Sequence, residues 1–352
     1  MTGAVLRHVA GGAGHTCAVV ADGGVACWGT NKDKELGDGS AVDRSRPGVV
    51  VGAARALSIA AGSYHTCAVM TGGGVSCWGW NVSGQIGDGT SVDRDSAVIV
   101  PGVTGAIAVA TGDAHSCALL ADGGARCWGQ NGAGQLGDGS SLDRRQPVTV
   151  YSLPAARDIA ASGDHTCALL ADGSVECWGD NPRGELGDGT LTSHPLPQPV
   201  AALDGVVAVA TGFNHVCALL AAGMVSCWGA NSHGQLGDGT TIDRPTPVEV
   251  RGLPPARAIG AGFQHSCALL EDGVAMCWGW NDAGQLGDGT GRDQALPVRV
   301  SGLPAATSIA GGGFHTCAIS KEGAVFCSGA NESGQIGMGT TTPSEPSPTD
   351  VL

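Results

Sequence analysis

Short apolar runs closed off by glycine, proline or aspartate recur along the whole chain. Ala106-Ile107-Ala108-Val109-Ala110, Ser116-Cys117-Ala118-Leu119-Leu120 and Pro147-Val148-Thr149-Val150 are of this kind, with a further run from Ala125 to Gly129. Each is strand-length, and no apolar pattern persists long enough for a helix before a glycine interrupts it. The second and third runs are joined by Ala21-Asp22-Gly23, Ala121-Asp122-Gly123, Ala171-Asp172-Gly173 and Glu271-Asp272-Gly273. A hairpin loop of this length takes glycine at its last position, where the backbone turns left-handed. That turn sets Val20 opposite Gly24, Val19 opposite Val25 and Cys17 opposite Cys27.

The runs repeat. His15, His65, His115, His165, His215, His265 and His315 are each followed two residues later by a cysteine, a period of 50 residues shown seven times. Four short strands per unit predict an all-β fold, a seven-bladed β-propeller with one four-stranded antiparallel blade per 50-residue repeat. A β-solenoid is the runner-up and normally uses shorter repeats. No insertion or linker breaks the spacing, so residues 1–352 read as a single propeller domain. The first strand is expected near Val5 to Ala10 and the last over Pro348 to Leu352. If a blade boundary falls between those strands, the termini share a blade and close the ring; the pattern leaves the grouping open.

All 14 cysteines fall into pairs ten residues apart: Cys17 and Cys27, Cys67 and Cys77, Cys117 and Cys127, Cys167 and Cys177, Cys217 and Cys227, Cys267 and Cys277, Cys317 and Cys327. The hairpin register puts each pair in a non-hydrogen-bonded site, with Cα atoms about 4.5 Å apart, within disulfide reach. Buried reduced thiols would also pack well, but the register favours seven bridges. Bridges imply an oxidising compartment, extracellular or cell envelope. Met1-Thr2-Gly3-Ala4-Val5 carries no export signal, which keeps a cytoplasmic location open.

Charge narrows the function classes. With 18 Lys and Arg against 32 Asp and Glu, the formal charge is −14, which argues against nucleic acid as a partner. No membrane insertion is expected. Phosphate-loop, dinucleotide and zinc-hydrolase motifs are lacking. The His-x-Cys steps contain good metal ligands, yet identical residues in every unit fit a shared structural role better, so no metal and no cofactor is expected. The loops Asp38 to Asp43, Asp88 to Asp93, Asp138 to Asp143, Asp238 to Asp243 and Asp288 to Asp293 could hold calcium. They read better as turns in which Asp bonds its own backbone, with Arg44, Arg94, Arg144 or Arg244 as charge partner. The polar residues that occur once, His8, His194, His233, Glu176 and Arg126, form no triad or carboxylate pair, so an enzyme is not expected.

Ala-Thr-Gly-Asp-Ala-His115-Ser-Cys-Ala-Leu-Leu, then Cys-Trp-Gly-Gln-Asn131, then Gly134-Gln135-Leu136-Gly137 resemble the repeat of the regulator of chromosome condensation family in its bacterial form, over all seven units. The resemblance implies a seven-bladed propeller in which the repeated His, Trp-Gly, Asn and Gly-Gln-Leu-Gly are scaffold. The family's nuclear exchange factor uses an inserted wedge, and the uniform period leaves no room for one, so guanine-nucleotide exchange is disfavoured. The family's plant UV-B photoreceptor carries tryptophans where this chain has Ala13, Ser63, Asp113, Gly163, Phe213, Phe263 and Gly313; light sensing is disfavoured too. A bacterial β-lactamase inhibitor of the family binds its enzyme through an aromatic-rich face, and that is the nearest functional analogy.

An array works where its units differ. One divergent site is the pair before each His, including Tyr64, Asp113, Asp164, Phe213, Asn214, Phe263, Gln264 and Phe314. The other follows each Trp-Gly or Ser-Gly and includes Trp80, Gln130, Asp180 and Trp280. One opens the second strand and the other closes the third, so both lie at the same end of the ring, opposite the Ala-Asp-Gly loops. Aromatics with acidic neighbours around one mouth suit a protein- or peptide-binding face. The competing reading has these rings filling gaps between blades. A monomer, or a homodimer through the aromatic face, is expected. A homo-oligomeric surface protein and a metal-dependent or redox enzyme are the rival functions.

Overall fold

The computed structural model describes residues 6–351 and shows seven four-stranded antiparallel sheets, each in sequential strand order. The first blade is built from Leu6–Gly11, His15–Val20, Val25–Gly29 and Arg44–Val49, the third from Ala106–Thr111, His115–Leu120, Ala125–Gly129 and Arg144–Thr149. No helix occurs among the described residues. The hairpin register is as the turn chemistry dictates: Val19 pairs with Val25, Cys17 with Cys27, and Gly23 sits at φ +86°. Seven disulfides join the paired cysteines with Cα atoms 4.0–4.1 Å apart. Such bridges belong to oxidising surroundings.

The fourth strand departs from expectation. In the third blade it runs from Arg144 to Thr149 rather than Pro147 to Val150, and in the last it runs from Ser344 to Asp350. A bulge between the pairings of Cys127 and Gly129 leaves Pro147 outside the ladder, and an outer edge strand tolerates proline because one side of it needs no donor. Val5 and Leu352 lie outside the described residues.

Each sheet is a complete repeat, so the two ends of the chain do not share a blade. The ring closes by contacts of the kind seen at most other blade boundaries: Gly313 N donates to Gly12 O at 2.8 Å, and Thr16 Oγ1 and Trp28 Nε1 both donate to Gln335 O at 2.9 Å.

The hydrophobic cores lie between blades. Cys17, Val19, Val25 and Leu36 of the first blade pack on Ile59, Ala68 and Trp78 of the second. Trp78 lies so close to Gly37 that a Cβ there would come within 2.6 Å of the indole, and Gly37 is at φ +61°. Both facts demand glycine. Trp78 Nε1 donates to the carbonyl of Glu35, and the same bond recurs for Trp128, Trp178, Trp228 and Trp278. The seventh blade has Ser328 in that place, so the core between the sixth and seventh blades contains no tryptophan.

The histidines are scaffold. His15 Nε2 lies 2.9 Å from Thr66 Oγ1, which donates to Glu35 O, and the equivalents at His65, His115, His215, His265 and His315 run 2.7–2.9 Å. Since the hydroxyl hydrogen is committed to the carbonyl, the imidazole must be the donor, neutral and protonated on Nε2. Burial agrees, holding His15, His65, His115, His215 and His265 down to about 3.

Candidate functional site

Both divergent sites reach one end of the ring, and the backbone ties them together. The amide of the residue after each Trp-Gly or Ser-Gly donates to the carbonyl of the residue before the His, as in Trp80 to Tyr64, Gln130 to Ala114, Asp180 to Asp164 and Trp280 to Gln264, at 2.8–2.9 Å. Neighbouring blades are bonded at the same level, Asp113 N to Gly163 O and Phe213 N to Phe263 O. The variable side chains therefore stand on strand ends that are backbone-bonded within every blade and, at several boundaries, between blades.

Four of the expected aromatics form one continuous patch over the fifth, sixth and seventh blades. Phe213 meets Phe263 at 5.0 Å between ring centroids, Phe263 meets Phe314 at 5.5 Å, and Phe314 meets Trp280 edge-on at 5.2 Å. Tyr64 and Trp80 form a separate edge-on pair at 5.6 Å on the second blade. Tyr64 is exposed, and the other five rings are half-buried. They pack on one another while keeping part of their surface in solvent. Asn214 and Gln264 are half-buried beside this patch.

The acidic residues gather on the third and fourth blades. Asp164 Oδ1 accepts from Gln135 Nε2 at 2.8 Å and from Gln130 Nε2 at 3.4 Å. Burial raises its pKa to about 6, and the charges of Asp113 and Asp180 push the same way. Asp180 accepts from Ser193 Oγ at 3.0 Å. Gln130, Ser141, Asp164, Asp180 and Ser193 line a groove of about 530 Å³.

The acidic loops are turns. Asp38 Oδ1 accepts from the amide and hydroxyl of Ser40, its other oxygen meets Arg44, and Asp43 caps the amide of Asn31. Asn31 fixes the loop from inside, with Nδ2 reaching Val42 O and Oδ1 accepting from Leu36 N. Ser193 replaces the capping Asp in the fourth blade and still bonds Asn181 N. No cluster of His, Cys, Asp or Glu arranged to hold a metal ion is found among the described residues.

Two sets of mouth residues escaped the sequence reading. His233 packs tilted against Trp280, with ring centroids 5.4 Å apart, and bonds Asp293 at 2.7 Å. Val42, Val92, Leu142, Leu191 and Ile242 occupy the tips of the acidic loops and are 59–68% exposed. The strand three to strand four loops lie at the same end of the ring as the mouth, so these exposed side chains stand at that end too. Their signal was an apolar residue just before Asp43, Asp93, Asp143 and Asp243, with Leu191 one place earlier in its loop.

A family model described as RCC1-like domain matches residues 96–352, and models of the regulator of chromosome condensation (RCC1) repeat match residues 6–34, 57–85 and 22–69. No curated protein sequence matches the chain at a significant level. Among solved structures, yeast RCC1 (Prp20) in complex with Kap60 is 24% identical, with 100% of this chain and 85% of that one covered and a TM-score of 0.83. Human WBSCR16 is 25% identical over 91% of this chain and 88% of that one, with a TM-score of 0.83. Prp20p from Saccharomyces cerevisiae, described with its binding properties to Gsp1p and histones, is 25% identical over 99% and 87%, with a TM-score of 0.81.

Proposed function

This chain belongs to the RCC1-like domain family, and from that premise we propose that it is a non-catalytic propeller that binds a protein or peptide through the mouth carrying Tyr64, Trp80, Phe213, Phe263, Trp280 and Phe314. The observation that supports this most is the continuous patch from Phe213 through Phe263 and Phe314 to Trp280. Aromatic rings held rigidly beside polar groups are what interface hot spots use, because they bury large area at low entropic cost. The mouth offers rings, carboxylates and amides, the groups that suit contact with a polypeptide. Prp20p is a propeller described with protein-binding properties, which supports a protein partner here. Seven disulfides support a place outside the cytoplasm, in the envelope or medium.

The test is capture from the native extract or medium with the wild-type chain and with a Trp80→Ala, Phe213→Ala, Phe263→Ala, Trp280→Ala variant that still melts cooperatively. A protein held by the first and lost by the second supports the reading. Equal retention moves the site away from the mouth. Light scattering on the same samples separates a foreign partner from self-association, which would give a multiple of 34.8 kDa.

A further inference from the structure

The acidic half of the mouth is unpaired among the described residues. Elsewhere the chain matches its carboxylates: Asp38, Asp88, Asp138 and Asp238 each hold the arginine six residues on. Among the described residues no lysine or arginine forms an ion pair with Asp113, Asp164 or Asp180. Asp164 is met only by the neutral amides of Gln135 and Gln130, and it feels Asp113 and Asp180 as repulsive neighbours. Like charges gathered around a groove of about 530 Å³ favour whatever cation enters it.

The layer under the mouth singles out one blade boundary. Gln85 and Gln285 are fully buried, and their Oε1 atoms accept from Ser83 N and Ala283 N just as Gln135 Oε1 accepts from Ala133 N. The shared anchor gives all three amides one orientation. Gln135 Nε2 thereby reaches the residue before the next blade's His, which is Asp164. At the matching places stand Ala114 and Phe314, so Gln85 and Gln285 meet no carboxylate there and the charge at Asp164 is a feature of this blade boundary. A polypeptide can place a cation in this groove and an apolar side chain on the adjacent aromatic patch at once, whereas a simple amine supplies the cation alone.

We propose that the mouth takes a basic polypeptide segment: a lysine or arginine side chain enters the groove beside Asp164 and Asp180, and a neighbouring aromatic or aliphatic residue lies on the Phe213, Phe263, Phe314 and Trp280 patch. The proposal rests on the binding-face reading and names its partner's chemistry. A second copy of the chain, at a net charge of −14, is a poor source of that cation.

The test pans displayed random peptides on the full-length chain and on an Asp164→Asn, Asp180→Ala variant. The fifth blade already has Asn214 and Ala230 at these places, so the frame accepts both residues. If the double variant fails to melt cooperatively, Asp180→Ala alone serves the same comparison. Wild type is expected to enrich peptides with lysine or arginine next to an aromatic or leucine by roughly tenfold over input, with retention falling as salt rises. The variant is expected to keep the apolar preference and lose the basic one. Peptides enriched for apolar or acidic residues without basic ones, or a basic preference that survives the variant, overturn the proposal while leaving the binding face standing. No enrichment of any peptide by wild type overturns both.

Discussion

His165 stands without a partner on Nε2, and the residue that fills the hydroxyl position for it in the next blade is Val216. Every other ring histidine donates there to a threonine or serine. Val216→Thr supplies an acceptor for His165 and a donor for the carbonyl of Glu185, at nearly constant volume. It is expected to stabilise the chain by about 1 kcal/mol, and the reverse change Thr66→Val to destabilise it by about 1–3 kcal/mol, since it strands His15. Denaturant midpoints of the two variants check both; a destabilised Val216→Thr would contradict the relay.

Glu35 and Glu185 occupy the place that Gln85, Gln135, Gln235, Gln285 and Gln335 fill in the other blades. Both are buried, and burial raises their pKa to about 7. A raised folded-state pKa means that the folded chain keeps a proton the unfolded chain gives up. Stability is therefore intact below the ordinary carboxylate range and lost as pH climbs to about 7. Glu35→Gln and Glu185→Gln are expected to gain about 2–3 kcal/mol each at pH above 7 and little at pH 4. Urea melts at the two pH values check this, and an equal gain at both would exclude the titration.

Asp164 is raised to about 6 by burial first and by Asp113 and Asp180 after it. Removing one of the charges with Asp180→Ala should move its titration toward lower pH. Carboxyl carbon shifts in NMR follow the group directly. An unmoved midpoint would mean that Asp180 is too well screened to matter, and would weaken the case for an uncompensated groove.

All 14 cysteines are 0–1% exposed. Thiolate attack needs access, so the folded chain is expected to resist alkylation in the presence of a mild reductant and to take up the label only after unfolding. Each bridge closes a short loop and sits near the low end of the roughly 2–4 kcal/mol that a disulfide contributes. Intact mass after alkylation of the unfolded chain without reductant should show no label, and labelling at Cys117 and Cys127 or any other pair would refute the bridge there.

Much of the frame was legible because it repeats. Glycine at the end of Ala21-Asp22-Gly23 fixes the hairpin, the hairpin fixes Cys17 against Cys27, and seven copies fix the ring. The fourth strands were harder, since a bulge beside Pro147 and a free outer edge remove the constraints that make strand limits readable. The strand grouping at ring closure was hidden because it depends on contacts such as Thr16 to Gln335, which join residues from opposite ends of the chain. At the mouth, sequence spacing placed Phe213, Phe263, Phe314 and Trp280 at one end. It did not show that they touch, nor that Tyr64 and Trp80 stand apart from them. His233 was missed because its relevance comes from Trp280, 47 residues away and on the next loop.

The most direct measurement of the central claim is amide hydrogen exchange on the full chain, free and saturated with the partner it captures. Protection is expected at the strand one to two turns and the strand three to four loops of the fifth to seventh blades, around Phe213, Phe263, Trp280 and Phe314, with the Ala121-Asp122-Gly123 end and its equivalents unchanged. Protection confined to those Ala-Asp-Gly hairpins, with the mouth unaltered, would contradict the account.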